Sequence, residues 1–268
     1  MTDFIHYAFI QRALVAGTFV GISCAVLGVF LVLRRLSMIG DGLAHTGFAS
    51  IALGLVLGVT PIYVAIPATA LASLVILSLS EKNRLFGDTA IALISSLAVA
   101  VGILLASISG GFNVDLFSYL FGSILAISSA EVITSVFLSI AVTGIVVFLY
   151  SKLFSITYDD DFARVSGIKV TALNRLLIIL TALTVVIGIR VVGTMLISSL
   201  LIFPAVTALR IARSFTGTVI FAAVIATVSV IIGIILSFFL NLPTGAMIVM
   251  INFIIFIGIS FIKNTHPR

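Results

Sequence analysis

Two ionisable side chains stand inside a segment that is otherwise built to cross a membrane. Residues 36–58, LSMIGDGLAHTGFASIALGLVLG, are apolar and long enough to span a bilayer, yet they carry Asp41 and His45. On a helix, positions i and i+4 lie on one face, one turn apart. A carboxylate and an imidazole placed that way offer oxygen and nitrogen donors, the set that suits a divalent transition metal such as Zn²⁺ or Mn²⁺. Ionisable groups within a span are costly, face a bundle interior or a water-filled cavity, and mark the route of an ion or substrate. The alternative makes Asp41, six residues after Arg35, a cap on the start of the span, with His45 a hydrogen-bonded core residue. A cap needs no partner a turn later, which favours the metal reading. Two ligands do not complete a site, because zinc takes four, or three plus an open position. Glu81, Asp88, Asp115 and Glu131 fall at span ends, and His6 and His266 lie in the tails. A homodimer, each copy giving one Asp and one His across a two-fold axis, supplies four donors.

The elements that must position this pair are membrane helices. The chain is 62% hydrophobic and 9% charged, with a mean hydropathy of +1.40, far outside the range of a soluble domain. An all-α, polytopic bundle is expected, a single transmembrane domain over residues 1–268. Its length gives room for eight to ten crossings of about 20 residues each. Nine spans are predicted: 13–33, 36–58, 62–79, 86–108, 130–150, 170–189, 191–209, 215–238 and 243–262. The tightest stretch is 171–209, whose 39 residues make about 58 Å of helix, barely two passes of roughly 30 Å. Nine crossings place twelve of the fourteen Lys and Arg residues on one side, leaving only Arg12 and Arg190 opposite. By the positive-inside rule that side is cytoplasmic and the N-terminus is outside. A multi-pass protein of the inner (cytoplasmic) membrane is therefore expected. The net charge of +5 is dispersed over segment ends, which argues against nucleic acid as a partner. Lone Cys24 excludes an internal disulfide. The N-terminus lacks the basic region and cleavage site of a signal peptide, so the first helix is expected to be retained. Gly17/Gly21 and Gly54/Gly58 are small-xxx-small pairs suited to close helix approach, and Pro67 and Pro204 should kink their spans.

Two connections are more than turns. Residues 109–129 are too apolar for a solvated loop and too short for a crossing, which predicts a re-entrant or interfacial helix starting near Asn113 or Asp115. Residues 151–169, SKLFSITYDDDFARVSGIK, form the longest polar segment. There Asp159, Asp160 and Asp161 precede Phe162, Ala163 and Val165, with Arg164 among them, and Gly167 follows. This pattern predicts an acidic helix start, a short helix and a glycine stop. A short capped helix on the cytoplasmic face serves docking, although the acidic cluster alone reads equally as a solvated turn.

The chain contains no G-x-x-x-x-G-K-[ST], so it is not expected to hydrolyse ATP, and it lacks G-x-S-x-G, H-E-x-x-H and CxxC. With these motifs placed, VLGVFLVLRRLSMIGDGLAH (26–45) resembles the signature of the zinc/manganese/iron permease subunits of ABC importers. GTMLISSLLIFPAVTA (193–208), DDDFARVSGI (159–168) and LPTGAMIV (242–249) are similar to that family's second signature, coupling segment and last-span entry. The signatures occur in order over essentially the whole chain. This resemblance implies a type II ABC importer permease-like fold, as in vitamin B12-type importers. It also implies a homodimer, two cytoplasmic ABC ATPase subunits and an extracytoplasmic metal-binding protein. Asp41 and His45 would then line the path of a transported Zn²⁺ or Mn²⁺, with no permanently bound cofactor. Residues 159–167 would transmit ATP-driven closure of the ATPases. Gly42 and Ala44 depart from the family's usual Ala and Ser. A secondary, ion-coupled metal transporter is the rival class, but it needs more buried carboxylates than the one clearly inside a span.

Overall fold

A computed structural model describes residues 7–82, 87–108, 119–122, 127–194 and 196–265. Among these, eleven helices are present and no strand. In chain order they are α1 (Ala8–Leu33), α2 (Ile39–Val56), α3 (Pro61–Lys82), α4 (Gly87–Ile108), α5 (Ser129–Phe148), α6 (Tyr150–Tyr158), α7 (Asp160–Val165), α8 (Val170–Val192), α9 (Ile197–Ile211), α10 (Phe215–Leu240) and α11 (Thr244–Thr265). Eight of them (α1 to α5, α8, α10 and α11) are long and apolar enough to cross a membrane. The remaining predicted span, 191–209, is realised as the shorter apolar helix α9.

α1 forms the axis of the bundle. Ala16, Val20, Cys24, Leu27 and Phe30 are wholly inaccessible, and the helix packs against α5, α8, α9 and α10. Small residues permit this crowding. A methyl group on Gly28 would run into the backbone carbonyl of Leu201 on α9, and one on Gly21 would come within 3.1 Å of Val230 on α10. Between α1 and α5, Ser23 donates to the Ser139 carbonyl at 3.1 Å and lies 3.0 Å from the Thr143 hydroxyl. α2 packs against α3, α4, α8 and α9.

The difference from the predicted spans is greatest at 191–209. α8 runs on to Val192, and the chain turns at Gly193 before α9 begins at Ile197. All the shortage of length falls on α9, whose 15 residues reach only about 22 Å, less than the roughly 30 Å of hydrocarbon. The turn is fixed by Gly193 at φ +93°, where a side chain would strike the backbone of Leu120 and Phe121. Thr194 donates its N–H to the Tyr119 carbonyl at 2.9 Å. The 119–122 segment thus lies over the start of α9. The re-entrant helix expected near Asn113 or Asp115 falls outside the described residues. Arg190, at the end of α8, pairs with Glu131 and sits 4.3 Å from the Tyr119 ring centre. Glu131 itself closes a capping box with Ser128 at the start of α5.

Two further expectations change. Residues 151–158, expected as part of the polar connection, belong to helix α6, which starts at Tyr150 after a break at Leu149. The buried Leu153 and Ile156 give α6 an inward face. Gly58 is not a helix-packing residue. It sits in the turn after α2 at φ +67°, while Gly54 alone makes the close approach, to Pro61 at the start of α3.

Candidate functional site

The rotation of α2 decides where its two ionisable groups point. A side chain added at Gly40 would meet Leu201 and Ser198 of α9; at Gly47, Ile189 of α8; at Gly42, Ile91 of α4 and Ile76 of α3. Glycines therefore face the packed sides of the helix. The stripe left less covered carries Met38, Asp41 and His45, with side-chain exposures of 36% for Asp41 and 21% for His45. His45 Nε2 lies 3.5 Å from Asp41 Oδ2. α2 begins after Met38 without a side-chain capping hydrogen bond, and Asp41 lies in its first turn. A turn beyond the pair, Phe48 and Ala52 close an apolar cluster with Ala106 and Leu120, so α4 and the 119–122 segment cover α2 on that side.

An oxygen and a nitrogen donor within reach of one another can hold a divalent ion. Among the described residues no group of three or more His, Cys, Asp or Glu side chains gathers anywhere in the chain. The described residues of one chain thus offer two donors at this pair, and a tetrahedral ion would need two more.

The second predicted element forms at the end of the bundle carrying Arg34. Asp159 caps α7, accepting from the N–H groups of Asp161 at 3.0 Å and Phe162 at 2.9 Å. At the other end Gly167, at φ +81°, stops the helix. Its N–H donates to the Arg164 carbonyl at 3.1 Å, and that of Ile168 to the Ala163 carbonyl at 3.0 Å. These two bonds make a Schellman stop. Ala163 is completely buried, while Phe162 is 65% and Val165 90% exposed, so α7 anchors by one side and projects apolar groups from the other. An open groove of about 610 Å³ beside it is lined by Arg164, Lys169 and Arg175, among others. Arg34 was not singled out by sequence. Its guanidinium donates to the Ile156 carbonyl and, at 3.2 Å, to Asp160. No local pattern could signal a contact between residues 126 positions apart.

A bundle of apolar helices, with a donor pair on one half-open helix face and a capped helix projecting from one end, defines a multi-pass membrane permease. The chain belongs to the ABC 3 transport family, whose sequence profile matches residues 6–263. It is 34% identical over 246 residues to the "High-affinity zinc uptake system membrane protein ZnuB" of Haemophilus influenzae, covering 91% of this chain and 94% of that one. To the "Manganese transport system membrane protein MntC" of Listeria monocytogenes it is 32% identical over 252 residues, covering 94% and 90%. Among solved structures, PsaBC from Streptococcus pneumoniae in complex with Fab superposes with a TM-score of 0.88 at 29% identity, covering 97% of this chain and 94% of that one. The inward-facing conformation of a putative metal-chelate type ABC transporter shares the fold, with a TM-score of 0.73 at 18% identity, over 94% and 84% of the two chains.

Proposed function

We propose that this chain is the permease subunit of an ATP-driven importer of a divalent transition metal, zinc ahead of manganese. It works as a homodimer whose two copies share one transient site built from Asp41 and His45 of each. The observation that carries this reading is the Asp41–His45 pair itself, 3.5 Å apart on the half-open face of a helix that is otherwise packed. The imidazole donors favour zinc over a hard cation that prefers oxygen alone. A site open enough to be reached and short of a closed single-chain cage suits a transporter, which must also release its ion. Names among the relatives cover both metals, zinc for one and manganese for another. The ATPase partners are cytoplasmic subunits that receive α7, with Phe162 and Val165 as the apolar contacts and Asp159, Asp161, Arg164 and Gly167 shaping the helix. A metal-binding protein delivers the ion on the other side.

Equilibrium binding of Zn²⁺ to the purified dimer tests the shared site. One ion per two chains is expected, lost in His45→Ala, because the symmetry removes two of four donors at once. Two independent ions per dimer, or binding indifferent to His45, refutes it.

A further inference from the structure

At the basic end of the bundle, Arg34 contacts α6 and α7 and immediately precedes the turn into α2. It caps the end of α1, and its side chain is only 12% exposed. The planar guanidinium grips the Ile156 carbonyl on α6 and the Asp160 carboxylate on α7, 3.2 Å away. Asp160 also faces Arg164, at the longer distance of 3.9 Å. α6 is tied to the same corner by aromatic contacts. Phe154 and Phe30 lie 4.9 Å and 5.3 Å from Phe215, and the Tyr150 hydroxyl is 2.8 Å from that of Thr216. The end of α1, α6, α7 and the start of α10 thus pack as one corner. Only residues 34–38 separate that corner from α2, and they contain no glycine. The Leu36 N–H is bonded back to the Leu31 carbonyl at 2.8 Å, and the Asp41 N–H to the Met38 carbonyl at 3.1 Å. Arg35 holds the left-handed conformation, φ 59°, that turns the chain into α2.

We propose that Arg34 is a positioning residue that ties movement of α7 to the helix carrying Asp41 and His45, so that displacement of the docked helix shifts the donor pair. The proposal rests on reading α7 as the ATPase-docking element. An exposed ion pair would be too loose for this task. Here the Arg34 guanidinium is mostly buried, although Asp160 is 40% exposed, and its rigid fork holds the Ile156 carbonyl and the Asp160 carboxylate in one geometry. Packed elements joined this way move as a body rather than deforming continuously.

The test uses the permease assembled with its ATPase subunits and metal-binding protein in liposomes, reading Zn²⁺ ions moved per ATP hydrolysed. Arg34→Met keeps the stem and removes both grips. Asp160→Asn weakens only the link to α7. Asp88→Asn alters an exposed carboxylate in the first turn of α4 and serves as the control. Arg34→Met should lower ions per ATP by about fivefold or more, with the ATPase still co-purifying and Zn²⁺ binding to the dimer retained; Asp160→Asn should lower it less, and the control not at all. A ratio unchanged from wild type in Arg34→Met overturns the proposal, as does loss of the ATPase from that variant, which would make Arg34 part of docking. If Arg34→Met fails to accumulate in membranes, Asp160→Asn decides alone, an unchanged ratio counting against the proposal. The docking reading fails separately, if Phe162→Asp leaves the ATPase bound.

Discussion

Gly167→Val isolates the contribution of a single backbone angle to coupling. Gly167 holds φ +81° and nothing lies within 4 Å of where a Cβ would stand, so the substitution meets no steric obstacle. Its whole effect comes from forcing an L-residue, and a β-branched one, into the left-handed region, which costs about 1–2 kcal/mol. The two Schellman bonds, Gly167 N–H to Arg164 and Ile168 N–H to Ala163, exist only with that angle. The weight of the properly ended α7 should therefore fall by roughly 5–30-fold relative to frayed forms. Because α7 lies at the surface and makes little of the core, insertion and dimerisation should persist. Zn²⁺ uptake per ATP in reconstituted vesicles is the measurement, with Gly167→Asn as the comparison, since Asn tolerates this conformation far better than valine. Valine should uncouple transport and asparagine should largely preserve it. Full coupling in Gly167→Val refutes the assignment of α7. Equal loss in both variants refutes the backbone argument and points to the side-chain surface instead.

Charge and ligation separate at the donor pair. Asp41→Asn keeps the shape but, occurring in both copies, removes both compensating carboxylate charges from a poorly solvated path, so ion binding should weaken severely while assembly remains intact; unaltered affinity by titration would exclude Asp41 as a ligand. Gly28→Ala should destabilise by about 1–3 kcal/mol through the collision with the Leu201 carbonyl, a fall of roughly 3–10 °C in Tm. Gly144→Ala, with nothing within 4 Å, should leave stability unchanged or raised, and equal Tm values for the two variants would contradict the packing. For orientation, single cysteines at Arg164 and Arg213 should resist an impermeant thiol reagent in intact cells, and one at exposed Leu242 should react. Cys24 is completely buried and adds no background, so labelling of the first two from outside would invert the topology.

The placement of eight of the nine predicted spans was legible in the sequence because apolar length is a local property. So was the capped helix after Asp159, whose signals, an acidic start and a glycine stop, lie within nine residues. The pairing of Asp41 with His45 followed from helical period alone. Tertiary structure decided what local signals cannot carry. Which face of α2 stays open depends on glycines at 40, 42 and 47 meeting four different helices. The length of α9 depends on a turn at Gly193 pressed beneath the 119–122 segment. Gly28, unremarkable between Leu27 and Val29, marks a close backbone approach of α1 to Leu201 of α9. Arg34 read as one more basic residue at a span end, and only the return of the chain at Ile156 and Asp160 gave its guanidinium two acceptors. Hydrophobic period and capping act over a few residues and are written in order along the chain. Packing contacts and long-range ion pairs join positions that only the folded bundle brings together.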